Sequence, residues 1–200
     1  MEEGKSTLRV ISGSAKGRKL FSVPGAGTRP ITARVKAALF NILGPDIRGA
    51  TFLDLFAGTG AVGIEALSRG AGKVIFVERA RKAVMTIRRN LELTGLRERA
   101  EVWAQDAFRF LAHAPKDLQL DYIYVAPPQY RELWAKALLA LDEKAHLLAP
   151  DGLIIVQIHP KEYEELVTLN LRLVDERRYG STLLQFYAHK ERTEQEEAGE

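Results

Sequence analysis

The chain has 200 residues and no cysteine, 46% of its residues are apolar, and its formal net charge is +3. These values fit one globular domain or one and a half, and they exclude a disordered or fibrous chain, a disulfide framework, a thiolate nucleophile and sulfur-based zinc sites. No apolar stretch approaches the roughly 18 residues of a membrane span, and the acidic N-terminus lacks the apolar core of a secretory signal. We therefore expect a cytoplasmic protein without membrane association.

The positive charge is concentrated in the first quarter of the chain. Residues 1–50 hold nine Lys and Arg against three Asp and Glu, which gives +6, whereas residues 51–189 hold eighteen of each. A basic segment beside a neutral domain indicates an anionic partner, most often nucleic acid, and a solvated surface is the alternative. Residues 191–200 hold no large apolar side chain, so we expect a disordered acidic tail there.

The N-terminal quarter predicts a small hairpin and one helix. Residues 8–23 alternate loosely around two glycines, which predicts a short, basic β-hairpin, and the turn-rich residues 24–30 predict a connector. A helix capped by Thr32 is predicted to run to Leu43. Its buried stripe is predicted to hold Val35, Leu39 and Ile42, and its stop is Gly44-Pro45.

From residue 51 onwards, apolar strands alternate with helices, which predicts a doubly wound α/β sheet covered on both faces. Two final strands joined by a tight turn predict an antiparallel hairpin at the edge of this mostly parallel sheet. The predicted strands cover residues 51–56, 73–77, 100–104, 121–125, 152–158, 171–180 and 181–189. One predicted helix ends at Gly70, and the others cover residues 80–94, 107–112, 131–147 and 161–168.

A glycine-rich turn follows the first of these strands, with the pattern GxGxxG from Gly58 to Gly63. Such a turn lets a ligand approach the backbone and points helix N–H groups at it. Dehydrogenases and methyltransferases share the pattern, and a packing turn is a further alternative. Glu78 lies twenty residues after Gly58 at the tip of the second strand, where a carboxylate can accept both hydroxyls of a ribose. The spacing therefore indicates a nucleoside-containing cofactor.

Asp54 discriminates between two classes of such cofactors. It lies late in the first strand, four residues before Gly58. Beside the pyrophosphate of NAD its charge would be repulsive, whereas beside S-adenosylmethionine (SAM) it would face an ammonium and a sulfonium group. Asp54 therefore favours SAM, and an NAD oxidoreductase, for which we find no hydride-relay residue, is the alternative.

The ends of the third and fourth strands carry further candidates. Asp106 ends the third strand, where its carboxylate can accept from an adenine amino group or cap the following helix. The fourth strand ends in Ala126-Pro127-Pro128-Gln129-Tyr130, a stiff loop at the edge where open α/β sheets bind substrates. Tyr130 can stack there on a flat base. A plain strand-to-helix turn is the alternative.

Together these residues resemble the RsmD family, which methylates N2 of a guanine in small-subunit (16S) ribosomal RNA. The resemblance covers nearly the whole chain and is most specific over residues 53–70, LDLFAGTGAVGIEALSRG. Residues 9–20 resemble the family's opening, and residues 29–41 resemble its RPT…R…LFN element. The final hairpin is similar to the last two strands of this methyltransferase fold.

The resemblance implies a seven-stranded SAM-methyltransferase fold, with a basic RNA-binding extension over 1–48, the methyltransferase domain over 49–190 and the tail over 191–200. The implied partners are 16S rRNA or a partly assembled small ribosomal subunit, bound by a monomer. The implied cofactor residues are Asp54, Phe56, Ala57, Gly58, Thr59, Gly60, Glu78, Arg79, Asp106 and Ala107. The implied catalytic residues are Ala126, Pro127, Pro128, Gln129 and Tyr130. The implied RNA-binding residues are Arg9, Lys16, Arg18, Lys19, Arg29, Arg34 and Asn41.

The sequence departs from the family pattern at two positions. The family usually carries Asp-Pro-Pro and then Tyr or Phe, whereas this chain has Ala126 and an aromatic residue one position later. The first helix has Ala33 where the family usually has Asp. The acceptors left for the acidifying N–H groups of guanine N2 are the backbone carbonyls of Ala126 and Pro127 and the side chain of Gln129. The alternatives are a SAM- and RNA-binding module without catalysis, and adenine N6 methylation of nucleic acid.

The remaining polar and aromatic candidates are interpreted as structural. The histidines (His113, His146, His159 and His189) show no metal-ligand spacing, so we expect no metal site. Trp103 and Trp134 are predicted to pack in the core or at its margin. A basic cluster near the predicted helix over 80–94 is interpreted as a solvated face, with an RNA-contacting face as the alternative. This cluster comprises Arg79, Arg81, Lys82, Arg88 and Arg89.

Overall fold

The computed structural model describes residues 8–23, 31–129 and 132–190. None of the helices in these ranges has the length and hydropathy of a membrane span. The elements, in chain order, are α1 (Ala33–Leu43), β1 (Thr51–Asp54), α2 (Ala61–Ser68), β2 (Lys73–Val77), α3 (Arg81–Thr94), β3 (Ala100–Trp103), α4 (Ala107–His113), β4 (Leu120–Val125), α5 (Leu133–Glu143), β5 (Leu148–Ile158), β6 (Leu171–Tyr179) and β7 (Thr182–His189).

The strands form one seven-stranded sheet in the order β3-β2-β1-β4-β5-β7-β6. Strands β1 to β5 pair in parallel, and β7 runs antiparallel to both β5 and β6. Helices α1, α2 and α3 pack on one face, and α4 and α5 pack on the other. The predicted doubly wound sheet with an antiparallel hairpin at its edge is confirmed. Because the strand order reverses between β1 and β4, a crevice lies at their carboxyl ends.

The N-terminal segment, residues 8–23, packs on the same face of the sheet as α2. Its predicted hairpin is present in minimal form, as a single antiparallel bridge between Arg9 and Lys19. Its apolar side chains enter the core that α1 and α2 share, namely Val10, Ala15 and Leu20.

Glu65 of α2 anchors this segment to the rest of the fold. Its fully buried carboxylate accepts hydrogen bonds from the backbone N–H groups of Ile11, at 2.8 Å, and Ser12, at 3.0 Å. It also pairs with Lys36 Nζ at 3.1 Å and with Arg69 Nε at 2.9 Å. Burial lowers the pKa of Lys36, and the facing Glu65 carboxylate opposes that shift. Since removing one partner of a buried ion pair is costly, this cluster fixes residues 11–12, α1 and α2 as one unit.

The prediction of a helix over residues 161–168 is wrong. The structure has a 3₁₀ turn at Pro160–Glu162, and irregular chain follows it up to β6. Asp142, near the end of α5, accepts hydrogen bonds from the backbone N–H groups of residues 169–171, at 2.7, 2.9 and 2.8 Å. These contacts across the fold satisfy backbone groups outside any helix, and they fix the chain where it enters β6.

Two other predictions need correction. Ile42 does not belong to the buried stripe of α1, because it is 39% exposed and Leu43 takes its place in the core. The first strand ends at Asp54 rather than at residue 56, because the glycine-rich turn begins earlier. Trp134 is buried as predicted, whereas Trp103 on β3 is 41% exposed and lies against Phe110 at the margin.

Gly63 lets α2 pack closely against β2. A Cβ added there would lie 2.3 Å from Phe76 Cε1 and 2.9 Å from Val74 Cγ1. We therefore expect Gly63→Ala to lower the free energy of unfolding by about 1–3 kcal/mol through overpacking, as measured by urea unfolding. Adding Phe76→Leu should recover part of that loss, and strictly additive losses in the double variant would contradict the steric cause.

Candidate active site

A cleft of about 910 Å³ opens at the carboxyl ends of β1, β2 and β4. All but one of the predicted cofactor residues line it, namely Asp54, Phe56, Ala57, Gly58, Thr59, Glu78, Arg79, Asp106 and Ala107. The exception is Gly60, which begins α2 behind the turn with φ +77°. The predicted catalytic residues Ala126, Pro127, Pro128 and Gln129 also line the cleft, and Tyr130 lies outside the described residues.

Asp54 is a buried carboxylate at the floor of this cleft. Its Oδ2 accepts a hydrogen bond from the backbone N–H of Gly63, in the first turn of α2, at 3.2 Å. Burial raises the pKa of Asp54 to about 7, the Gly63 hydrogen bond opposes the shift, and the nearby Glu78 charge adds to it. Ionising this buried carboxylate is unfavourable, but a positive charge bound beside it would stabilise the ionised form. Asp54 is therefore suited to pair with a cationic ligand.

Two side chains from distant parts of the chain hold the glycine turn in place. The Glu78 carboxylate accepts from the backbone N–H of Gly58 at 2.9 Å and from that of Ala80 at 2.8 Å. Each of these bonds uses one of its two oxygens, so acceptor sites remain for a ligand hydroxyl. Asn90, fully buried on α3, donates to the carbonyl of Thr59 at 3.0 Å. The cleft is therefore preorganised at the turn.

Asp106 performs the capping role that the sequence left open. Its Oδ1 accepts from the backbone N–H groups of Phe108 and Arg109, the first turn of α4, at 2.9 and 3.2 Å. Its Oδ2 lies 3.8 Å from Arg79 Nη1, in an exposed ion pair at the rim of the cleft. Capping fixes the carboxylate in the cleft lining and uses only Oδ1, so Oδ2 takes no part in the cap.

Sequence analysis missed three polar residues in the cleft, Gln105 after β3, Tyr124 on β4 and Gln157 on β5. The Tyr124 hydroxyl donates to Gln157 Oε1 at 2.6 Å. Burial raises the pKa of Tyr124 well above its usual value, and the Asp54 charge adds to the shift. The available signal was strand alternation, because Tyr124 lies two positions before Ala126 and so shares its side of the sheet.

The predicted RNA-binding side chains that the structure describes are exposed but do not line the cleft. Within the described residues they divide into two groups, one in the N-terminal segment and one on α1. The first group comprises Arg9, Lys16, Arg18 and Lys19, and the second comprises Arg34 and Asn41. Arg29 lies outside the described residues. No group of three or more His, Cys, Asp or Glu suited to a metal occurs in the part of the chain that the structure covers.

The sheet order, the glycine turn after β1 and the carboxylates at the ends of β1, β2 and β3 define a class I methyltransferase fold. The family described as Conserved hypothetical protein 95 matches residues 8–188. The chain belongs to this family, which is the RsmD family that the sequence resembles.

Individual relatives agree with this assignment. YlbH of Bacillus subtilis is 43% identical over 182 residues, which cover 90% of this chain and 98% of YlbH. Ribosomal RNA small subunit methyltransferase D of Haemophilus influenzae is 35% identical over 184 residues, 92% of this chain and 94% of the relative. The solved structure of yhhF from Escherichia coli superposes with a TM-score of 0.80 at 34% identity, and the match covers 92% of this chain and 98% of that one.

Proposed function

We propose that this protein binds SAM and transfers its methyl group to the exocyclic N2 of a guanine in small-subunit ribosomal RNA. The observation that carries the proposal is the buried Asp54 carboxylate beside the glycine turn, in a cleft shared with the loop over residues 126–129. The names of the Haemophilus and other bacterial relatives, ribosomal RNA small subunit methyltransferase D, support an RNA substrate.

The cleft residues fit SAM by their chemistry. Asp54 supplies a negative charge for a cationic ligand, and Glu78 keeps acceptor sites for ribose hydroxyls beyond its bonds to Gly58 and Ala80. Asp106 presents Oδ2 at the rim, where it can accept from an adenine amino group. When bound, SAM supplies a methyl group that its sulfonium charge already activates. The residues of this chain therefore contribute mainly orientation, which supplies on the order of 7–11 kcal/mol in favourable cases.

The remaining difficulty is the nucleophile, because the lone pair of guanine N2 is delocalised into the ring. Its N–H groups become acidic during the attack, so acceptors directed at them stabilise the transition state. The backbone carbonyls of Ala126 and Pro127 and the side chain of Gln129 are the acceptors that the loop over residues 126–129 offers. The exposed cations of the N-terminal segment would hold the phosphates, and the target base would be unpaired or extruded.

The test is transfer of a labelled methyl group from SAM to small-subunit rRNA from a strain that lacks the enzyme, followed by mapping of the methylated base. Naked rRNA and partly assembled subunits are compared as substrates. We expect N2-methylguanine at one position. Labelled N6-methyladenine would overturn the guanine assignment, and an unlabelled RNA with normal SAM binding would favour the second candidate function, a SAM- and RNA-binding module without catalysis. The absence of a carboxylate at Ala126 is the observation behind that candidate.

A further inference from the structure

Helix α3 presents a strongly basic face to solvent. Its exposed positions lie on one arc of about 140°, given 100° per residue, and they include four cations and one acid. That acid, Glu92, pairs with Arg97 outside the helix at 3.7 Å. Within the described residues, no ion pair engages any of the four cations. They are Arg81, Lys82, Arg88 and Arg89, and we call them the α3 basic face.

Two of these cations occupy an unfavourable place in the helix. Arg81 and Lys82 form its first turn, which contains no acidic residue, and the N-cap Ala80 makes no side-chain capping bond. The first turn of a helix carries partial positive charge, so cations there reduce stability and acids would increase it. Local stability therefore does not explain these two residues, and such departures from local preference are expected at functional sites.

The α3 basic face also connects the two regions that an RNA substrate would contact. At its start, Arg81 lies two positions after Arg79, which lines the cleft together with Glu78. At its other end, the Arg89 guanidinium lies 3.5 Å from the centre of the Phe21 ring. Phe21 belongs to the N-terminal segment and follows the exposed Lys19 by two positions.

The junction with the N-terminal segment is rigid. Asn90 accepts from the backbone N–H of Phe21 at 2.8 Å and donates to its carbonyl at 3.1 Å. The same side chain holds Thr59 in the glycine turn. The segment, α3 and the turn are thus joined at one buried residue, which fixes the exposed cations of the segment and of α3 relative to the glycine turn of the cleft.

We propose that the α3 basic face binds the RNA phosphate backbone beside the target base and joins the N-terminal segment to the cleft in one RNA-contact surface. This inference rests on the proposed function. It revises the interpretation of these residues as a solvated helix face. The occupant is RNA because the surface is positive, lacks acidic partners and ends at the cleft where the base would enter.

The test compares two α3 variants, Arg81→Gln/Lys82→Gln and Arg81→Glu/Lys82→Glu, with a matched control, Lys116→Gln/Lys136→Gln. The control removes the same charge from exposed residues of other elements, Lys116 in the loop after α4 and Lys136 on α5. Affinity for in vitro transcribed small-subunit rRNA is measured over a range of salt concentrations, and Tm is measured for each protein. For the glutamine variant we expect the slope of log Kd against log salt to fall by about 1.4 to 1.8, the value for two lost phosphate contacts.

Stability should change in the opposite direction to affinity. Removing the two cations from the first turn of α3 should raise Tm by about 1–4 °C, and the glutamate variant should be more stable still while binding RNA less well. A salt slope equal to that of the control would overturn the inference, as would a lowered Tm, since the cations would then serve the fold. Wild-type protein that neither binds nor methylates rRNA would instead overturn the proposed function on which the inference rests.

Discussion

The Asp54→Asn variant is expected to be more stable than the wild-type protein at pH 8 and to bind SAM about 10- to 100-fold more weakly. Burial raises the pKa of Asp54 to about 7, so ionising it in the folded protein is unfavourable. Asparagine keeps an acceptor for the Gly63 N–H but carries no charge. One pKa unit corresponds to about 1.36 kcal/mol, so the gain in the free energy of unfolding is at most about 4 kcal/mol. The loss of SAM affinity follows from losing a charged partner.

The pH dependence of stability follows from the direction of this shift. Between the unfolded value of 3.8 and about 7, the folded protein keeps a proton on Asp54 that the unfolded chain has released. Stability therefore falls as pH rises through that window, because the unfolded state binds fewer protons. In Asp54→Asn this contribution disappears. Chemical unfolding at a series of pH values measures the difference between the two proteins.

SAM affinity should depend on pH in the opposite sense. Binding of a cation beside Asp54 requires the ionised carboxylate, so the wild-type Kd should rise about tenfold per pH unit below pH 7. The Asp54→Asn variant should show a flat profile over the same range, and isothermal titration calorimetry would detect proton release in the wild-type protein alone. Parallel profiles in the two proteins would show that Asp54 does not face the bound cation.

Asp121→Asn is the matched control for Asp54. Asp121 also accepts one backbone N–H bond, from Thr51 at 2.7 Å, but it lies at the amino-terminal end of β4, away from the cleft. We expect this variant to keep wild-type SAM affinity and its pH profile. Equal losses of affinity in both variants would indicate a general disturbance of the sheet rather than a charge effect in the cleft.

Periodicity and turn chemistry predicted most of the fold because they depend on neighbours in sequence. Helix α3 is a clear case, since its apolar stripe determines which face is buried. The helix ends at Gly95, which adopts φ +70°. The helix predicted over residues 161–168 is absent, and the chain that follows it is held by Asp142, which lies 27 to 29 residues before the backbone amides of residues 169–171 that it binds. No local pattern contains that information.

The cofactor side of the cleft was largely predictable, because the ends of parallel strands converge at one edge of a sheet. The side chains that hold the cleft in place were not predicted, because each of them bonds to residues far away in the sequence. Asn90 and Glu65 hold the glycine turn and the N-terminal segment from buried positions on α3 and α2. A polar residue on the apolar stripe of a helix was the signal for both, since burial of such a group requires partners.

The Ala126→Asp variant is expected to transfer methyl groups about 10²–10³-fold faster than the wild-type protein in single-turnover assays. Position 126 follows the end of β4 and lines the cleft, on the same side of the sheet as Tyr124 and Asp54. A carboxylate there would accept from the N–H groups of the attacking guanine N2, which become acidic in the transition state. Removing one preorganised hydrogen bond to the transition state commonly lowers the rate by this factor, so adding one should raise the rate by a similar factor. The assay is run at pH 8, above the pKa of about 7 of Asp54.

Ala126→Asn supplies the matched control, because it adds an acceptor of the same shape without the charge. We expect it to give a smaller acceleration, since charge-assisted hydrogen bonds are roughly twice as strong as neutral ones. If Gln129 compensates for the missing carboxylate, Gln129→Ala should slow the wild-type protein strongly and the Ala126→Asp protein only slightly. A rate unchanged by Ala126→Asp, with SAM and RNA affinities also unchanged, would mean that a missing hydrogen-bond acceptor for the N2 N–H groups does not limit the reaction. The backbone carbonyls of the proline loop would then suffice for the chemistry that the cleft performs.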